Sequence, residues 1–213
     1  MVDPTEITNF NRTTNELEEV LLFCIAVAGK TAKQISIALE KFLTTQNYYQ
    51  DWSRELKEFG GEEVVCESCD LSASPFAKIR WLVARNKLFD AIKDSGLGQH
   101  SKLTFAFAEV AKQNFDLTKV TTEQLESIKG IGPKTSRFFI LHSRKTDNIA
   151  CLDTHILRWL KNKGYDVPKG PPSNKHYLRL EKDFLSCAKE MKVPVAELDL
   201  KIWNESSVRS GKR

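Results

Sequence analysis

Lys134 and Asp153 are the side chains here whose types and settings could do chemistry. Lys134 follows Gly130-Ile131-Gly132-Pro133, and Asp153 opens the stretch Leu152-Asp153-Thr154-His155. If they converge, a neutral amine can attack an electrophilic carbon while an ionised carboxylate stabilises positive charge developing there. A lysine is ordinarily a non-nucleophilic ammonium, and burial beside a positive helix end disfavours that charge. As a helix N-cap, Asp153 would accept backbone N–H bonds that favour its charged form, so a carboxylate rather than a general acid is expected. Alone, each has a plain alternative, a solvated helix-end lysine and an ordinary cap; their joint placement weakens both.

The elements around this pair follow from local signals. Thr121-Thr122-Glu123-Gln124 reads as a capping box that starts a short helix carrying Leu125 and Ile128. Gly130 and Gly132 flank one aliphatic residue, which permits a tight hairpin, and Pro133 suits the first position of the next helix. Unpaired N–H groups at that helix start, with nothing bulky over them, suit a phosphate. Ile131 should tuck inward, leaving backbone as the offered surface, and backbone cannot tell one base from another. Sequence-independent DNA binding through Gly130, Ile131 and Gly132 follows; a helical corner with a glycine C-cap is the alternative.

The remainder of the chain reads as helices. Thr13 and Glu16 form another capping pattern before Leu17, Val20, Leu21, Cys24 and Ile25. Thr31 and Gln34 repeat it for a helix packed through Ile35, Ile37, Leu39 and Phe42, and residues 1–12 read as a flexible lead-in. Pro75 begins a longer helix, Phe76 to about Lys93, with Ile79, Leu82 and Phe89 inward and Lys78, Arg80, Arg85 and Lys87 facing elsewhere. Ser173 should cap a long amphipathic helix, and Pro194 a last one with Leu198, Leu200, Ile202 and Trp203. No alternating strand pattern competes, so an all-α fold is expected. The net charge of +4 is compatible with a nucleic-acid partner. Five cysteines, with no recognisable signal peptide, point to a reducing intracellular compartment. Cys66 and Cys69 form a lone C-x-x-C, too few ligands for a zinc site, so no metal is expected, and Val20 to Ala28 is too short to cross a membrane.

The segments GIGPKTS and LDTH resemble the helix-hairpin-helix DNA glycosylases, the superfamily of endonuclease III. The resemblance implies that Lys134 and Asp153 are catalytic, and the lysine marks the bifunctional glycosylase/lyases. Breaking a base-sugar bond builds oxocarbenium character that Asp153 would stabilise. Lys134 would form a Schiff base from which the strand breaks by β-elimination. Endonuclease III carries a four-cysteine cluster near its C-terminus, where only Cys187 occurs here, so neither an iron–sulfur cluster nor another cofactor is expected. LLFCIAVAGKTAKQI, DTHILR and AELDLKIW extend the resemblance to the compact archaeal-type, or type-2, 8-oxoguanine DNA glycosylase/lyases, over about residues 15 to 203. It implies one two-lobed domain over 13–213, with the hairpin unit at 121–143. It also implies a monomer acting on double-stranded DNA in the cytoplasm or nucleoid, with Trp203 stacked on the extruded base. By its spacing with Leu198 and Leu200, Trp203 could equally be a core anchor. His155 is expected to meet a phosphate, with a structural histidine as the alternative. A glycosylase for oxidised pyrimidines and a non-catalytic hairpin module stay open.

Overall fold

The computed structural model describes residues 1–45, 74–146 and 148–209, with side chains described as far as Ser206. Tyr48, Tyr49, Trp52, Gly60-Gly61, Cys66 and Cys69 lie outside the described residues, as does the chain from Ser210 onward. The described residues form helices and no strand. These are α1 (Thr14–Ala26), α2 (Ala32–Thr44), α3 (Pro75–Ala84), α4 (Leu88–Ser95), α5 (His100–Lys112), α6 (Thr122–Glu126), α7 (Pro133–Ser143), α8 (Thr154–Asn162), α9 (Asn174–Met191) and α10 (Val195–Arg209).

Side chains start several of them. The Thr13 hydroxyl accepts from Glu16 N–H while the Glu16 carboxylate accepts from Thr13 N–H, and Thr121 and Gln124 repeat this reciprocal pair for α6. Two expected caps are not made. Thr31 gives α2 no side-chain bond, and the Ser173 hydroxyl pairs with His176 Nδ1 at 3.1 Å instead of capping α9.

The helix expected from Phe76 to Lys93 is two helices. Asn86 adopts φ 55°, which ends α3 and restarts the chain as α4, so Phe89 turns outward at 42% exposure. Lys78, expected on the outer face, is buried and donates to the carbonyls of Phe42 and Leu43, the latter at 2.9 Å. It thus binds the negative end of α2. Burial lowers its pKa to about 8. On α2, Ile35, Leu39 and Phe42 are buried at helical spacing, but Ile37 is off that face and exposed.

Residues 1–12, expected as a flexible lead-in, carry tertiary anchors. Val2 and Ile7 are buried, Ser36 Oγ donates to the Val2 carbonyl, and Arg12 donates to the carbonyls of Asn9, Ile7 and His142. Two buried apolar clusters divide the molecule. One gathers α1 to α6 with Phe139 and Ile140; the other gathers Leu141, residues 150–152 and α8 to α10. Phe138 and Ile149 pack against both, so α7 forms the seam.

Candidate active site

The hairpin between α6 and α7 has the expected construction. Ile131 is buried, and Gly130 sits at φ 104°, where a side chain would be strained; its Cβ would also come within 3.2 Å of Ala106 Cβ. Gly132 answers a different need. Its φ of −107° suits any residue, but a Cβ there would meet nothing within 4 Å and no side chain caps α7, so the helix start is left open.

Lys134 lies on the first turn of α7, half-buried, with Nζ 4.9 Å from the Phe138 ring centroid. Phe138 in turn meets His142 edge-on at 5.2 Å. Lys134, Phe138 and His142 therefore form one face of α7, spaced by single turns, which points from the seam toward α1 and α10. Asp153 stands at the start of α8 as its N-cap. Its Oδ1 accepts from the N–H groups of His155 and Ile156, both at 2.8 Å. The structure thus brings the amine and carboxylate into one electrostatic neighbourhood: the charge of Lys134 acts on Asp153 and on the thiols of Cys24 and Cys151. Among the described residues no ion pair within 4.0 Å joins Lys134 to Asp153.

Capping bonds alone would hold the Asp153 pKa down. Burial outweighs them, and the carboxyl lies above its ordinary value; Asp199 adds to the rise, while the Ile156 N–H, His155 and Lys134 oppose it. Burial also pushes the Cys24 thiol up to about 12 and Cys151 well above normal, so both stay neutral beside the lysine. Cys24 is fully buried.

His155 has a buried Nδ1 with no partner, which leaves a polar atom unsatisfied beside Asp153. Trp203, expected either at the extruded base or as a core anchor, is half-buried and among the described residues packs against neither apolar cluster. Helix α10 continues past Trp203 to Arg209. One turn before Trp203, Asp199 is buried and its Oδ2 pairs with His142 Nε2 at 3.2 Å, while His142 Nδ1 pairs with the Thr8 hydroxyl at 2.7 Å. Asp199 Oδ1 is buried without a partner. Asp199 and His142 were not read as site residues. The available signal was an acid between Leu198 and Leu200 in an apolar run, one turn from the tryptophan. Among the described residues no three His, Cys, Asp or Glu side chains could gather on a metal ion.

A sequence profile described as 8-oxoguanine DNA glycosylase matches residues 75–193, more than half of the chain. The 8-oxoguanine DNA glycosylase/AP lyase of Picrophilus torridus is 34% identical over 79 residues, 37% of this chain and 37% of that protein. The match thus spans well under half the length of that curated relative. Among solved structures, the Methanocaldococcus jannaschii 8-oxoguanine glycosylase/lyase in complex with a 15mer DNA containing 8-oxoguanine is similar at TM-score 0.52 and 28% identity, covering 98% of this chain and 88% of that one. The 8-oxoguanine DNA glycosylase of Thermotoga maritima has the same fold at TM-score 0.58, with 22% identity over 94% of this chain and 85% of that one. The chain belongs to the 8-oxoguanine DNA glycosylase family.

Proposed function

We propose that this protein excises 8-oxoguanine from duplex DNA and then cuts the strand at the abasic site it has made. The observation that carries this reading is that the charge of Lys134, on the helix at the seam between the two clusters, acts on the Asp153 carboxyl, in a family named for that substrate. The neutral Lys134 Nζ attacks the sugar C1′, and the C1′–N9 bond breaks with its electron pair leaving on the base, which takes up a proton. Asp153, ionised, stabilises the positive charge that builds on the sugar. Opening of the sugar ring transfers a proton from Nζ to the ring oxygen and gives an imine. Loss of a C2′ proton then expels the 3′ phosphate, and water later frees the lysine.

The open start of α7, with Gly130, Ile131 and Gly132, suits a phosphate without regard to sequence. The unpaired Nδ1 of His155 suits a second one. Trp203, free of both clusters, offers a ring face to an extruded base. The protein acts as a monomer inside the cell, one two-lobed domain over 13–213 built around the 121–143 hairpin unit, and neither step needs a cofactor.

Borohydride added during turnover on an 8-oxoguanine duplex should trap a protein-DNA adduct in the parent and none in Lys134→Gln. Equal trapping in both would refute the lysine's role. A panel with oxidised pyrimidines in the same duplex tests the substrate, which should be cut far more slowly.

A further inference from the structure

Lys134 and Asp153 stand on different helices with no ion pair within 4.0 Å between them, so something else must set their separation. The segment just before Asp153 is held from both sides. On α9, the Tyr177 hydroxyl donates to the Ala150 carbonyl at 3.0 Å and accepts from Leu152 N–H at 2.9 Å. One turn along, Glu181 Oε1 accepts from Ala150 N–H at 2.9 Å and from Arg137 Nε at 2.7 Å. Arg137 lies on α7, close after Lys134, and its Nη1 donates to Glu126 of α6 at 2.6 Å while the guanidinium covers the Tyr177 ring at 4.9 Å. Between these, the Cys151 thiol points to the carbonyl of Lys134 itself at 3.6 Å. Tyr177, Glu181 and Arg137 are all under 9% exposed, so these bonds are not diluted by water. Burial pushes the Tyr177 pKa well up, which keeps the hydroxyl a neutral donor and acceptor.

We propose that Tyr177, Glu181 and Arg137 are positioning residues, which fix the backbone of Ala150 to Leu152 to the hairpin unit and so set Asp153 at its distance from Lys134. This rests on the catalytic reading of that pair. All three are buried, and each acts through the segment or the helix that carries one of that pair. A misplacement of about 1 Å can lower a rate by about a hundredfold, so a fixed frame is worth its buried charges.

Tyr177→Phe is the sharpest test, because the ring stays under Arg137 and fills the same volume while both backbone bonds are lost. Single-turnover excision of 8-oxoguanine should fall roughly 10- to 100-fold, with duplex affinity and imine trapping at a preformed abasic site within about threefold of the parent. Glu181→Gln, which keeps an oxygen for Ala150 N–H and removes the charge, should show the same split. Parent-like excision in Tyr177→Phe overturns the proposal, and so does an equal fall in excision and trapping that tracks a lower melting temperature. The Asp153 carboxyl, followed by NMR, supplies a readout independent of turnover. Asp199 on α10, His155 on α8 and Lys134 on α7 act on it in every variant, so a looser segment that admits water should move its titration to lower pH. An unmoved titration in Tyr177→Phe overturns the proposal. A parent protein that neither excises nor traps refutes the proposed function instead, and this titration then decides the positioning claim alone.

Discussion

Helices α9 and α10 both pack on the second apolar cluster beside Asp153, yet they treat their polar side chains differently. The α9 side is filled. Tyr177 and Glu181 spend their polar atoms on Ala150, Leu152 and Arg137. The α10 side is unfilled: Asp199 keeps one buried oxygen without a partner, and Trp203 one turn later belongs to neither cluster. A satisfied buried network rigidifies, whereas an unsatisfied one marks a place where something else is to bind or where charge is being used. On the proposed reading, the first helix holds the frame around Lys134 and Asp153, and the second faces the entering base.

The comparison breaks most visibly at Arg137. Replacing it with Met should leave Glu181 as an uncompensated buried carboxylate, with the partly exposed Glu126 also unpaired, and cost about 3–5 kcal/mol, a fall of roughly 6–20 °C in melting temperature. Restoring neutrality with Glu126→Gln and Glu181→Gln in the same chain should recover much of that loss. Chemical denaturation of the single and triple variants decides; a single variant that loses under about 1 kcal/mol would mean that the α9 side is no frame.

Trp203→Ala tests the other helix. If its ring face meets the extruded base, excision should fall by about 1–3 kcal/mol of stacking, roughly 5- to 150-fold. Cleavage at a preformed abasic site, which has no base to stack, should change little. Matching losses in the two assays would return Trp203 to a structural role.

The two sides also differ in how far the sequence discloses them. The hairpin was legible because its determinants are local: a capping box, two glycines, one proline and the aliphatic residue between them. Asp153 was legible as a cap for the same reason. The α9 frame was not legible, because the partners of Tyr177 lie 25 and 27 residues back in the chain, and Glu181 reaches 31 residues back. Lys78 was placed outward by amphipathic spacing, and a tertiary bond to the end of α2 overrode it. The division of Phe76–Lys93 turned on one residue, Asn86, whose left-handed backbone no periodicity announces. Trp203 was singled out by resemblance alone, and its neighbour Asp199 was hidden inside an apolar run.

The smallest expected effect sharpens the comparison most, because it asks what the unfilled side does to the Asp153 carboxyl. Asp199 raises the Asp153 pKa, second to burial among the causes that push it up. Asp199→Asn keeps an amide oxygen for His142 Nε2 and removes the charge. In the proposed mechanism ionised Asp153 is the working form, so excision should decline as pH falls through its pKa, and the acid limb of the pH–rate profile should move to lower pH in the variant. The stability effect has a definite sign too. With a folded pKa above the unfolded one, Asp153 favours folding fully below its unfolded pKa of about 3.9, and that contribution is lost as pH rises through the folded value. Asp199→Asn should narrow that window, so the variant loses less stability between acid and neutral pH than the parent does. Near neutrality the rate should change little, which separates this role from that of Asp153 itself. A profile that stays in place, or moves to higher pH, would show that Asp199 serves His142 and Thr8 alone and that α10 touches the chemistry only through Trp203.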